Sequence, residues 1–167
     1  MHSEKQDFLK QIDQHKGLIR SLCASFYAYP EDQKDAFQDI VLHLWKSRNT
    51  FRGGSKASTW IYRVGLNALL SKRRKEQRSI SAEPIDQHVF PAPTTHADDD
   101  LILLQQVIQS LPDVDRALVI LYLEGYQNRE IAQIISLSPT NVGTRLNRIK
   151  AFLKQKFKAH SYESRKL

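Results

Sequence analysis

The sequence predicts an all-α protein built from two helical domains joined by a flexible linker. Three observations predict it. Apolar residues recur at spacings of three and four through most of the 167 residues, which is the period of an amphipathic helix. No stretch alternates apolar and polar residues as a half-buried strand does. Between Ser79 and Ala97 the periodicity lapses, and Pro84, Pro91 and Pro93 stand among Thr94, Thr95 and small polar residues, the composition of a linker. The expected division is residues 1–78, a linker over 79–97, and residues 98–167.

In the first domain, Phe8, Ile12, Leu18, Ile19, Leu22 and Phe26 mark one or two helices, which Tyr29-Pro30-Glu31-Asp32 breaks. Residues 34–48 form a strong amphipathic helix. Phe37, Ile40, Val41, Leu44 and Trp45 face inward, with Asp35, Gln38, Asp39 and His43 on the polar side. A loop over 49–58 contains Gly53 and Gly54. Ser58 or Thr59 then caps a long helix to about residue 75, with Trp60, Ile61, Val64, Ala68 and Leu69 as its apolar stripe. In the second domain, Asp98, Asp99 and Asp100 precede a helix over 101–110, where its dipole favours acids. A helix over 117–124 follows, and Gly125 suits its end.

The segment 128–153 has the pattern of a helix-turn-helix. Its first helix carries Ile131, Ala132, Ile134 and Ile135, with Glu130 in the first turn. Asn128 is the chemically better cap, whereas Glu130 takes the third helical position only if Gln127 caps. After Leu137, Ser138 is a suitable N-cap, and Pro139 falls where its missing N–H costs nothing. Val142, Leu146, Ile149 and Leu153 then form a stripe spaced four, three and four. The opposite face carries Thr140, Asn141, Thr144, Arg145, Asn147 and Arg148. Such a helix can lay its polar face in a DNA major groove. The bland alternative is a helical hairpin whose charges are merely solvated. Gly143 weakens the helix interior by about 1 kcal/mol relative to alanine, and it can permit close approach to DNA.

Composition narrows the class. The chain is 41% hydrophobic and 26% charged, as a globular protein is. No apolar run approaches the roughly 20 residues that span a bilayer, and the polar N-terminus shows no signal peptide, so cytoplasm is the expected location. Cys23 is the only cysteine, which excludes an internal disulfide and a cysteine-rich zinc site. The net charge of +7 is unevenly distributed. Residues 46–78 carry ten basic side chains against Glu76 alone, and 145–158 hold a second basic block with no acid. The ionised residues from Glu83 to Asp115 are all acidic. Two positive surfaces flanking a negative connector suggest two contacts along one polyanion.

The residues also carry a family resemblance. Asp32 to Trp45, Asp-Gln-Lys-Asp-Ala-Phe-Gln-Asp-Ile-Val-Leu-His-Leu-Trp, resembles region 2.2 of bacterial sigma factors. Phe51-Arg52-Gly53, Ser58 to Arg63, Asn67 and Lys72-Arg73-Arg74-Lys75 are similar to regions 2.3 and 2.4. Glu130-Ile131-Ala132, Asn141-Val142 and Arg145-Leu146-Asn147-Arg148 are similar to region 4. With only these two regions and a short linker, the chain resembles the extracytoplasmic-function (ECF) group of the sigma-70 family. Ala36, Gly65 and Gly143 depart from the family pattern.

The resemblance implies an alternative sigma factor. Its partners would be core RNA polymerase (the clamp helices and the flap), promoter DNA, and an anti-sigma factor, often membrane-bound in this group. It implies polymerase contacts at Asp35, Gln38 and Asp39. It implies minus 10 contacts at Arg52, Gly53, Ser55 and Lys56 in the loop, and at Trp60, Tyr62, Arg63, Asn67, Lys72, Arg73 and Arg74 on the following helix. Basic residues there suit phosphates. Trp60 and Tyr62 can serve as stacking platforms, although Trp60, on the apolar stripe, suits core packing better. The Gly53-Gly54 loop suits capture of an extruded base as well as a plain turn. Thr140, Asn141 and Thr144 are candidate base contacts in the minus 35 element, joined by Asn147, and Arg145 and Arg148 suit phosphate or guanine.

Two other classes compete. A free-standing helix-turn-helix regulator leaves the acidic-faced helix and the Trp-containing basic helix without a role. A nucleic-acid enzyme lacks a metal-ligand cluster, a glycine-rich phosphate loop and a nucleophile–base pair, and the six histidines are scattered. No catalytic residue, metal, cofactor or small-molecule substrate is expected.

Overall fold

The computed structural model describes residues 2–80 and 99–164. The chain divides into two compact units, residues 1–89 and 90–167. The described residues form seven α-helices and one 3-10 turn, with no strand among them. The predicted all-α, two-domain class therefore holds. The linker expected over 79–97 falls mostly outside the described residues; Ser79 itself lies in the helix that precedes it.

Unit 1 packs three helices. Helix α1, His2–Phe26, is continuous, where the sequence allowed one or two helices. Helix α2, Pro30–Ser47, starts four residues before the expected position. Pro30 does not merely break the chain: it opens the helix at the first position, which its fixed φ suits, and Glu31 and Asp32 complement the dipole. The turn Arg48–Thr50 leads to the glycine loop. Helix α3, Ala57–Ile80, begins before Ser58 and runs past Lys75. Neither Ser58 nor Thr59 caps it; both lie inside its first turn.

The core of unit 1 lies where α3 meets both α1 and α2. Ile19, Leu22, Ile40, Leu44, Ile61, Leu66 and Leu69 are fully buried there. Gly65 explains itself at this junction. A Cβ built on it would lie 3.3 Å from Leu22 Cδ1 and 3.5 Å from Ile40 Cγ2. The three helices thus approach closely at a point where a side chain would crowd them. Phe8 packs edge-on against Trp45 at 5.0 Å, and the Arg48 guanidinium stands 4.0 Å above the same indole while its Nε donates to Glu4 at 3.1 Å.

Unit 2 packs four helices: α4 Asp99–Ser110, α5 Asp113–Leu123, α6 Asn128–Ile135 and α7 Pro139–Ser164. Its core is Leu118, Leu121, Ile131, Ile134 and Val142, all fully buried. Gly125 adopts φ +88° where α5 ends, as its position predicts. Gln127, not Asn128, caps α6: its backbone N–H donates to Glu130 Oε2 at 2.7 Å. Ser136 takes a left-handed φ of 58° between α6 and α7. Ser138 caps α7, its Oγ accepting from the Asn141 N–H at 3.1 Å. Helix α7 continues eleven residues past Leu153, the last residue of its apolar stripe.

Candidate nucleic-acid interface

The polar surface that the sequence offers for DNA in unit 2 is built on the first half of α7. Thr140, Asn141, Thr144, Asn147 and Arg148 are exposed on one side, and Val142, Leu146 and Ile149 are buried on the other. This separation follows from the helical period: one stripe packs on α5 and α6, so the opposite stripe must face solvent. Thr144 Oγ1 donates back to the Thr140 carbonyl at 3.0 Å. Gly143 does not lie on the exposed side with these residues. A Cβ there would lie 3.4 Å from Asn128 Nδ2 on α6, an ordinary contact. Packing within the unit therefore does not require glycine at this position.

Arg145 corrects the sequence reading. It is not an open cation awaiting phosphate. Its Nη1 donates to Asp115 Oδ1 on α5 at 2.6 Å, and its Nε donates to Asn141 Oδ1 at 3.2 Å. The side chain is only 37% exposed, and that of Asp115 21%. Sequence reasoning missed Asp115 because it stands thirty residues from its partner on a separate helix. It also missed Arg116, 6% exposed, whose Nη2 donates to the carbonyls of Gln109 and, at 3.0 Å, Leu111. That arginine ties the end of α4 to the start of α5 and so supports the unit from behind.

In unit 1 the predicted minus 10 residues divide into an exposed and an engaged set. Arg52, Gly53, Ser55 and Lys56 are exposed in the loop, with Gly53 at φ +71°, a conformation that favours glycine. Arg63, Asn67 and Arg74 are exposed on α3, and Arg74 Nε donates to the Leu70 carbonyl at 3.2 Å. Trp60 and Tyr62 are 7% and 4% exposed. Neither ring offers an open face for stacking in this conformation. Trp60 lies 5.3 Å from Phe51, and its Nε1 donates to Thr50 Oγ1 at 3.3 Å, which pins the loop to α3.

The basic end of α3 is also partly committed. Lys72 Nζ donates to Asp39 Oδ2 on α2 at 2.6 Å. That hydrogen bond is the largest influence holding the Lys72 ammonium above its usual pKa of 10.5; partial burial opposes it, and the charges of Asp39, Glu76 and Asp35 add to it. Arg73 stands 5.4 Å above the Tyr27 ring, and the Tyr27 hydroxyl donates to the Glu76 carboxylate at 3.0 and 3.2 Å. Glu76, the one acid in the basic stretch, is thus held by Tyr27, just past the end of α1. Of the predicted polymerase contacts, Asp35 and Gln38 are exposed, whereas Asp39 is half-buried and paired within the unit.

Residues 11–79 match the family description "Sigma-70 region 2", and residues 101–153 match "Sigma-70, region 4". The chain belongs to the sigma-70 family. Its relatives place it in the ECF group. The ECF RNA polymerase sigma factor SigM of Mycobacterium tuberculosis is 30% identical over 125 residues, a match that covers 74% of this chain and 63% of SigM. The ECF RNA polymerase sigma factor SigW of Bacillus subtilis is 22% identical over 170 residues, covering 93% of this chain and 91% of SigW. The sigma factor RpoE of Bartonella quintana, solved with the anti-sigma factor NepR, shares the fold with a TM-score of 0.74 at 20% identity, over 95% of this chain and 98% of that one.

In this sigma-family chain, α2 and α3 lie within region 2, and α5, α6 and the first half of α7 within region 4. The exposed polar face of α7 and the exposed loop before α3 are therefore on separate family regions, as the two basic blocks of the sequence are. No described helix is long and apolar enough to cross a membrane.

Proposed function

We propose that this chain is an alternative sigma factor that binds core RNA polymerase and directs promoter-specific transcription initiation from the cytoplasm. Residues 1–78 engage polymerase and the minus 10 element, 79–97 connect, and 98–167 read the minus 35 element. The observation that supports this most is the order of two family regions along one chain, each folded as its own helical unit and each presenting polar or basic residues to solvent. Asp35 and Gln38 remain the polymerase contacts we favour; Asp39 serves chiefly to hold Lys72. Arg52, Gly53, Ser55, Lys56, Arg63 and Asn67 are the accessible minus 10 candidates, with Arg73 and Arg74 beside them. Thr140, Asn141, Thr144, Asn147 and Arg148 face the minus 35 element.

Chemistry belongs to the polymerase in this reading, and the chain supplies position. Phosphate contacts by exposed basic residues release counterions, so promoter affinity falls steeply with salt. Base edges are read by the short polar side chains of α7. An anti-sigma factor keeps the chain inactive until a signal releases it; the similar sigma factor RpoE was solved in complex with the anti-sigma factor NepR, and CnrH, which shares the fold, in complex with the cytosolic domain of CnrY.

The test is run-off transcription with purified chain, sigma-free core enzyme and fragmented genomic DNA, with the products sequenced. Discrete start sites sharing upstream elements are expected. Transcripts no different from core enzyme alone would refute the proposal. Tight binding of the chain alone to a palindromic duplex would favour a free-standing regulator instead.

A further inference from the structure

We infer that Asp115, which lies outside the reading helix, is the positioning residue that sets minus 35 specificity by locking Arg145 and Asn141 into one arrangement. The inference rests on the reading of α7 as the minus 35 helix. Three contacts carry it. The Asp115 carboxylate accepts from Arg145 Nη1 at 2.6 Å. Arg145 Nε donates to Asn141 Oδ1 at 3.2 Å. The backbone N–H of Asn141 is held by Ser138 Oγ at 3.1 Å.

The chemistry of these atoms gives the arrangement a direction. The Nε–H of arginine can only donate. The amide atom facing it is therefore the oxygen of Asn141, and the amide NH2 points away. An asparagine that is free to turn can offer either end of its amide; one oriented by an arginine presents its donor end. Arg145 is oriented in turn by Asp115, anchored on α5 in the body of the unit. The rotamers of both reading side chains are thus chosen before DNA arrives. Such preorganisation removes the alternatives by which a flexible side chain tolerates the wrong base.

The charges point the same way. A carboxylate near a DNA-facing surface repels phosphate, and Asp115 largely cancels the charge of Arg145. The pair adds little to the attraction for a polyanion. Arg148, exposed one helical turn further along, makes no ion pair with an acid among the described residues. Arg145 and Arg148 therefore divide the labour: one shapes the reading surface, the other attracts the backbone.

The experiment uses holoenzyme assembled from the full chain and core polymerase, on a promoter found by the run-off assay. Open-complex formation is compared across single-base substitutions of the minus 35 element and across salt concentration, for wild type, Asp115→Asn, Arg145→Ala and the double variant. Asp115→Asn is expected to flatten discrimination at one or two minus 35 positions by about fivefold to a hundredfold, the span of one good side chain–base contact. Affinity for unrelated duplex should hold or rise, because an acid has been removed. Arg145→Ala should flatten the same positions, and adding Asp115→Asn to it should change discrimination less than twofold. Arg145→Ala should also lower the salt slope by less than half of what Arg148→Ala does.

A merely structural Asp115 would lower binding to every sequence alike, and that outcome overturns the inference. An unchanged discrimination profile in Asp115→Asn also overturns it. If Asp115→Asn fails to fold, Arg145→Ala decides: unchanged discrimination there sinks the idea. A wild-type chain that directs no start site fails at the earlier proposal and takes this one with it, whereas normal start sites with an unaltered variant profile defeat this one alone.

Discussion

The two long basic helices, α3 and α7, hold their polar residues in different ways. Helix α3 lies against both α1 and α2, so a wide arc of it is buried and even its basic end is tied back, Lys72 to Asp39 and Arg73 over Tyr27. Helix α7 buries a single stripe in its first half and leaves Thr140, Asn141, Thr144, Asn147 and Arg148 exposed, while Arg145 and Lys150 are engaged with Asp115 and the Tyr122 ring on α5. The difference teaches that a run of basic residues is not by itself a count of available charges. What matters is how wide an arc of the helix its neighbours cover. Where that arc is wide, part of the charge is spent inside the unit; where a single stripe is covered, the polar residues opposite it stay open to a partner.

Two glycines give the sharpest way to break this comparison. Gly65→Leu forces a side chain into the junction of α1, α2 and α3, and should cost about 2–3 kcal/mol by overpacking. Chemical denaturation should show the loss in unit 1. Next in size is the effect of charge on promoter binding by holoenzyme. Arg148→Ala should lower the slope of log affinity against log salt by about one, the signature of a lost phosphate contact, and Lys72→Ala by clearly less because its charge is already paired. Equal slope changes would show that the Lys72–Asp39 pair opens on the promoter.

Smaller again is Gly143→Ala, which should stabilise unit 2 by about 0.5–1 kcal/mol, because helix propensity improves and the added Cβ meets only the end of the Asn128 side chain. Opposite signs at Gly65 and Gly143 would support the contrast between the two packings; equal destabilisation would undo it. The smallest effect is the coupling between Lys72 and Asp39. Their side chains are 28% and 46% exposed, so a double-mutant cycle should give less than about 1 kcal/mol. The pKa of Lys72 is raised in the folded chain. Its contribution is therefore complete below the unfolded value and is lost as pH rises through the folded one, so the coupling should be flat across neutral pH and fade only in strong alkali.

Much of the fold was legible because apolar period and proline placement act locally. The helix over the Val142, Leu146 and Ile149 stripe, its Ser138 cap and the turn at Gly125 are all properties of neighbouring residues. Tyr62 was misjudged because its burial depends on α3 meeting two helices at once, which no single stripe reports. The Arg145–Asp115 and Lys72–Asp39 pairs were invisible for a related reason: each joins two helices whose relative rotation is set by cores elsewhere. The full length of α7 was missed because the apolar stripe thins after Leu153, while good helix formers such as Lys154, Gln155 and Lys156 continue the backbone without it.

Helix α6 carries a consequence for how unit 2 comes into being. It has eight residues, whereas an isolated helix in water is marginal below roughly 12–15. The turn after it holds Ser136 in a left-handed conformation that a residue with a Cβ does not choose by itself. Neither the short helix nor its turn can therefore precede the surfaces of α5 and α7 that enclose Ile131 and Ile134. The helix-turn-helix is a product of the whole unit's cooperative folding and not a detachable part: excised as a peptide or grafted to another scaffold without α5, it would lose the geometry that aims α7.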